Sequence, residues 1–544
     1  MSSPSGEIRS RPQEAGTQRF SIKPARSVVK RKGRRQGRDT ARTYHPALDS
    51  KVRAACSLAA FLVPLGVYTA SLTPGVGFWD TAEMQTVPYI FGVAHPPGFP
   101  AFVILGFIFS HAYAVGPIAW RISLFSAIAV AAATWFAFRT MEDAGVHPVP
   151  AALASWTFAF GPIVWTRATR AEVHALAILF ISVAVWAALR ARTTGRPAFL
   201  YTCGAFVGLA AATHPIIIWA LPGIALLAFY ARAPWSKKTV LLAILAAIAP
   251  LLLYLYMPLR SFILSRQRLD PTLAIGLPPG QPFWDYGHTV NWYNFFRHLT
   301  GAQFPTKGHA LTAILHLSSY PAFASSFSAH AVLEFGIPVL VLALVGWLWL
   351  AFDDRVTALA LSLICLCGVP FAVSYIIEID YDRYFLTAFW CIAVLAGAGA
   401  QAVVSLAARR FRSAAVIGML SLVLLAAVGD TVYANRQIFA QRNDHSADQF
   451  VDRIVRETRP NGIIGAPWVF AAPLAYAAYV ERRLDERVIE SAEPPLVASR
   501  LARWAKQRPV YVIYYETGPQ PIPGARQVPI DIVAPPLLYR VVPR

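Results

Sequence analysis

The stretch FPAFVILGFIFSHAYAV (residues 99–115), entered through His95-Pro96-Pro97-Gly98, decides the topology of this chain. Eleven other apolar runs are about long enough to span hydrocarbon. They lie at 53–72, 120–138, 149–165, 173–190, 198–213, 215–231, 239–257, 332–352, 357–377, 385–405 and 413–432. If 99–115 does not cross, one side of the membrane receives the basic N-terminal tail, Arg139, Arg190 with Arg192 and Arg196, Arg232 with Lys237 and Lys238, Arg355, and Arg409, Arg410 and Arg412. That distribution obeys the rule that Lys and Arg mark cytoplasmic connections. If 99–115 crosses, parity flips and the same clusters face outward. The run is therefore expected to be a re-entrant or interfacial helix. The chain then makes about eleven crossings, with its N-terminus inside and residues 433–544 outside.

Composition points the same way. Of 544 residues, 56% are hydrophobic and 14% charged, and the mean hydropathy is +0.46. A soluble domain carries roughly a quarter charged residues, so a water-soluble body, a secreted disulfide scaffold and a disordered chain are all excluded. The five cysteines lie in apolar runs, and Cys365-Leu-Cys367 has no His or second Cys pair beside it, so they read as helix filler. The net charge is +20, and residues 1–53 hold 14 Lys and Arg against 4 Asp and Glu, half of the excess. This charge serves as a topology signal, and no nucleic-acid partner is needed to explain it. Three regions follow: a disordered basic cytoplasmic tail at 1–50, a membrane domain at 51–432 with external loops at 73–119 and 258–331, and an external domain at 433–544. The last region alternates helix-like stretches (448–458, 495–506) with β-branched runs (462–465, 508–515, 530–533), the pattern of a small α/β domain.

Ionisable groups in or against a bilayer are costly, which makes them informative. With the topology above they converge on the outer face. Phe78-Trp79-Asp80-Thr81-Ala82-Glu83 follows the first crossing, and a helix there sets Asp80 and Glu83 on one face. His95 follows on a rigid turn. Arg167, Arg170, Glu172 and His174 lie between the third and fourth crossings, with Arg170 and His174 at helical i,i+4 spacing. His214 ends the fifth, Arg260 follows the seventh, and Glu378, Asp380, Asp382 and Arg383 lie between the ninth and tenth. Carboxylates for proton abstraction and arginines for phosphate fit an outward-facing cavity. The histidines have no metal-ligand spacing, although Asp80, Glu83 or Glu172 would suit a divalent cation. A lone charge such as Arg260 is explained equally well as a helix-end anchor.

TPGVGFWDTAEMQTVPYIFGVAHPPGFP (73–100) resembles the signature of a membrane family first catalogued as a domain of unknown function, whose animal member is a protein O-mannosyltransferase of the GT-C type. The resemblance continues through PIVWTRATRAEVHAL (162–176), LYLYMPLRS (253–261), FFRHLTGAQF (295–304) and DRYFL (382–386). Trp284-Asp285-Tyr286-Gly287 departs from the family's usual Trp-Gly-Asp/Asn-Pro run and receives no role. The resemblance implies a GT-C-like α-helical polytopic protein and an inverting hexosyltransferase with a polyprenyl-phosphate-linked sugar donor, the sugar being mannose in the animal member. The acceptor would be a hydroxyl of a protein, lipid or glycan. Asp80 is implied as the catalytic carboxylate with Glu83 as second candidate, and Arg383, Arg170 or Arg260 as partners of the leaving phosphate. The rival readings are a flippase or transporter of lipid-linked sugars and a non-catalytic assembly protein. The multi-pass chain is expected in a bacterial plasma membrane.

Overall fold

The computed structural model describes residues 50–230, 234–266, 285–302, 317–374, 380–408, 410–491, 494–515, 518–532 and 536–544. The tail up to residue 49 lies outside the described residues, as do Arg232, Trp284, Glu378 and Arg409.

Among the described residues, eight helices are long and apolar enough to cross a membrane: Ser50–Ala70, Ile118–Asp143, Val173–Thr194, Lys237–Arg266, Tyr320–Asp353, Arg355–Ser374, Tyr381–Ala407 and Ser413–Ala434. Counting the bent pair Pro148–Ala159 and Pro162–Ala168 (74°) as one span gives nine. The remaining two of the eleven expected crossings form the shorter helices Pro197–Ala211 and Ile217–Phe229, of 15 and 13 residues. At 1.5 Å per residue these reach only about 20 Å, against roughly 30 Å of hydrocarbon. The deciding run folds as Pro100–Ala112, a 13-residue helix with the same shortfall. Its start is set locally: Gly98 takes φ +91°, Phe99 follows in the left-handed region, and Pro100 opens the helix.

The loop expected over 258–331 is shorter than its sequence suggested. The Lys237–Arg266 span continues past Arg260, and Tyr320–Asp353 begins well before residue 331. Polar residues at both edges lowered local hydropathy without breaking the helices. Tyr320–Asp353 kinks instead at Gly336 (φ 67°), two residues before Pro338. Further along it crosses Leu386–Ala407 at backbone contact. A Cβ on Gly346 would stand 2.0 Å from the Leu395 carbonyl oxygen, and one on Gly399 would stand 1.9 Å from that of Leu342. Small residues let helices approach this closely where lipid supplies no hydrophobic drive.

Charges collect at the two ends of the bundle. At one end Arg53 and Arg139 pair with Glu142 (2.8 and 2.6 Å), Arg190 with Asp143 (3.3 Å) and Arg192 with Asp354 (2.7 Å). Glu172 caps the opposite end of the 22-residue helix that carries Arg190 and Arg192, about 33 Å away.

The C-terminal region holds a five-stranded sheet in the order β2-β1-β3-β5-β4, with β1 Ile463–Ala466, β2 Val488–Ser491, β3 Val510–Tyr514, β4 Ala525–Asp531 and β5 Leu537–Pro543. β1 pairs parallel to β2 and β3, and β5 pairs antiparallel to β3 and β4. Alternation along the strands divides the core. Ile464, Tyr511 and Ile513 face Ser446–Glu457 and Trp468–Tyr479, whereas Ile463, Val510 and Val512 face Pro494–Trp504. β2 and β5 and the helix Trp468–Tyr479 extend the elements read from the sequence.

Candidate active site

The segment after Ser50–Ala70 folds into the helix Trp79–Ile90, which places Asp80 in its first turn and Glu83 on the same face. The chain then returns through His95, whose backbone N–H donates to Glu83 Oε1 at 2.7 Å and whose Nδ1 bonds Glu83 Oε2. Glu83 is fully buried, whereas the Asp80 side chain is 37% exposed, so of the two only Asp80 is open to an incoming group. The ligand atoms of Asp80, Glu83 and His95 lie within 4.8 Å of one another, close enough to hold a metal ion. His95 thus joins the acidic pair, although no metal spacing was legible in the sequence, and Glu172 is not part of that group.

Two donors orient Asp80. Arg383 Nη1 donates to Oδ2 at 3.2 Å, and Trp468 Nε1 donates to Oδ1 at 3.0 Å. Burial works to raise the Asp80 carboxyl, but His95, Arg383 and the Trp468 bond outweigh it and hold it below its ordinary value. Burial likewise opposes the charged form of His95, while the Glu83 and Asp80 carboxylates push it above its ordinary value.

A second set of charges adjoins the first. The short helix Pro162–Ala168 presents Arg167, whose side chain is 3% exposed. Its guanidinium reaches Asp380 (2.8 Å), Asp382 and Glu172 (3.5 Å). Arg170 reaches Asp380 at 3.2 Å. The helix ends at Ala168, and the next begins at Val173 with Glu172 as its N-cap. Arg170 and His174 therefore do not share a helical face, contrary to their spacing. Glu172 accepts from His174 Nδ1 at 2.8 Å, and the His174 ring lies 4.4 Å from that of His214. Burial would raise the Glu172 carboxyl, but His174, Arg167 and Arg383 hold it well below the usual carboxylate range.

Of the residues singled out in the sequence, Asp80, Glu83, His95 and Arg383 form one cluster, and Arg167, Arg170, Glu172 and His174 form its neighbour. Arg260 is elsewhere. Its guanidinium donates to the carbonyls of Phe91 (2.7 Å) and Ile90 (3.3 Å), closing the end of the Trp79–Ile90 helix. Asp380 and Asp382 stood among the converging charges, but their pairing with Arg167 and Arg170 was not read, and Tyr286 and Trp468 were missed as site members. The Trp468 ring meets His95 edge-on at 6.1 Å and Tyr286 at 5.9 Å. A single aromatic residue so far along the chain carries no sequence signal for such a role.

Residues 80–238 match the family model described as the Protein O-mannosyl-transferase TMEM260 N-terminal domain. The mouse Protein O-mannosyl-transferase TMEM260 is 26% identical over 426 residues, covering 75% of this chain and 58% of that protein. The Dictyostelium discoideum Protein O-mannosyl-transferase tmem260 is 31% identical over 131 residues, covering 24% of this chain and 16% of that one. The chain thus spans little more than half the length of the mouse relative, and far less of the other. Among solved structures, ArnT from Cupriavidus metallidurans bound to undecaprenyl phosphate aligns at a TM-score of 0.48 and 14% identity, covering 88% of this chain and 97% of that one. The archaeal oligosaccharyltransferase AglB from Archaeoglobus fulgidus aligns at 0.47 and 14%, covering 84% and 69%. The family-model match thus includes Asp80, Arg167, Arg170, Glu172 and His174.

Proposed function

We propose that this protein is a membrane glycosyltransferase that moves a sugar, mannose by analogy with its named relatives, from a polyprenyl-phosphate donor to an acceptor hydroxyl. The observation that carries the reading is Asp80, a half-exposed carboxylate fixed by Arg383 on one oxygen and Trp468 on the other, at the start of the family match. In this reaction Asp80 takes the proton of the acceptor hydroxyl. The oxygen forms a bond to the anomeric carbon, and the bond from that carbon to the phosphate oxygen breaks with inversion. The electron pair leaves on the polyprenyl phosphate, whose charge Arg383, with Arg167 and Arg170 behind it, would offset. Glu83 and His95 hold the first loop against Asp80. A divalent cation, if the reaction uses one, would be taken by Asp80, Glu83 and His95, adding positive charge at the same place.

The acceptor side would be the outer face of the plasma membrane, with the N-terminus cytoplasmic and the C-terminal domain outside. Support for this orientation comes from the basic clusters at the end of the bundle opposite the site. Asp80→Asn keeps the size of the side chain and one accepting oxygen but removes the base. Transfer from polyprenyl-phosphate mannose to a Ser/Thr-rich peptide is expected to fall by at least about a hundredfold, with membrane insertion unchanged. Transfer at the wild-type rate would remove Asp80 from the reaction. Lipid-linked sugar crossing vesicle membranes without any transfer would favour the flippase reading.

A further inference from the structure

Among the described residues, the C-terminal domain reaches Asp80 itself through the helix Trp468–Tyr479. Trp468–Tyr479 leaves β1 through Pro467 and packs along Trp79–Ile90, so that the starts of both helices meet at Asp80. Three further contacts fix this meeting. Phe78 packs on Phe450 and Phe470 with centroids 6.0 and 6.2 Å apart. The Ala119 backbone N–H donates to the Tyr476 hydroxyl at 3.0 Å. Gly75 lies so close to Asp448 that a Cβ there would stand 2.0 Å from its carboxylate oxygen.

A partly exposed carboxylate in the first turn of a helix can rotate about its terminal bond, and a base that rotates delivers its lone pair to the acceptor only part of the time. Arg383 alone holds one oxygen and leaves that rotation open. A donor on the second oxygen closes it. Because each carboxylate oxygen has two lone pairs, both bonds can form and still leave acceptor capacity for a substrate proton.

We infer that Trp468 is a positioning residue of the transfer reaction, through which the C-terminal domain sets the orientation of the Asp80 carboxylate. This deepens the functional reading above and rests on Asp80 as the base. It assigns the C-terminal domain a part in turnover, separate from any grip on donor or acceptor.

The test uses the full chain purified in detergent, with polyprenyl-phosphate mannose and a Ser/Thr-rich peptide as probes. Trp468→Phe keeps the ring beside His95 and Tyr286 but removes the N–H donor. Its kcat is expected to fall about ten- to a hundredfold, with the KM for the donor within about twofold of wild type. Combined with Asp80→Asn, it is expected to cost nothing further, because there is no base left to orient. Tyr476→Phe serves as the structural control, since it loosens the same helix without touching Asp80. An equal loss of kcat in Tyr476→Phe and Trp468→Phe, or a rise in KM alone, would overturn the inference. Full turnover in Trp468→Phe beside an inactive Asp80→Asn would overturn it while leaving Asp80 as base. Full turnover in Asp80→Asn would instead take away the reading beneath it. If Trp468→Phe does not fold, Trp468→His, which retains a ring N–H, is compared with Trp468→Leu, and equal turnover in the two counts against the inference.

Discussion

Arg167 is the most enclosed cation of the site, and it faces three carboxylates at once. Removing one member of a buried ion pair costs roughly 3–5 kcal/mol, because the remaining charge has lost its solvent and its partner together. Arg167→Ala is therefore expected to lower stability by about 3 kcal/mol or more, read as a drop in the thermal midpoint in detergent. A change below about 1 kcal/mol would mean that Asp380 and Asp382 find other partners. Residues of this kind were partly legible in the sequence. Charge against a bilayer is expensive, so Asp80, Glu83, Arg167 and Arg383 stood out. Which charge meets which did not, because Arg167 and Asp382 are 215 residues apart and only the packed helices join them. Trp468, 388 residues from Asp80, offered no charge anomaly to notice.

Among the elements, the short helix Pro162–Ala168 depends on a distant one. Its first free backbone N–H groups, those of Ile163 and Val164, each donate at 3.0 Å to Glu334, a buried carboxylate from the kinked helix Tyr320–Asp353. The carboxyl oxygens take up the N–H groups left free at the helix start, and the helix in turn presents Arg167. Glu334→Ala leaves two buried N–H groups without a partner and is expected to destabilise the protein by about 1–3 kcal/mol. Its transfer rate is expected to fall with it, measured in the same detergent preparation. Unchanged stability would show that the helix start finds another acceptor. Glu334 is a carboxylate inside an apolar run, but the run was read as a plain crossing. The kink at Gly336 that turns its carboxylate toward residue 163 has no counterpart in hydropathy. Strands β2 and β5 escaped for a different reason: β2 is only four residues long, and the partners of both are chosen by tertiary pairing.

For the whole molecule, the apolar runs located the helices well, and charge parity sorted their ends into two groups. Length did not separate crossings from shorter buried helices, because hydropathy measures apolar content and not the break at a proline or glycine. The orientation leads to a direct expectation. A reporter active only outside the cytoplasm should be active when fused after residue 544 and inactive when inserted at 195–196, between two helices at the opposite end of the bundle. The reverse pattern would invert the chain and move the site to the cytoplasmic face.

In doubly wound sheets the crevice beyond the carboxyl ends of the parallel strands is where ligands settle. In this domain β1 runs out into Trp468–Tyr479 and β3 into Tyr515, and Phe470 and Tyr515 meet there with ring centroids 5.6 Å apart. Among the rings that pack on Phe470 is Phe78, two residues before Asp80. The domain thus holds the membrane bundle much as a receptor holds a tethered ligand. A small molecule shaped to take the place of that ring would lift the loop from its seat and draw the Asp80 carboxylate away from Trp468 without touching either of them.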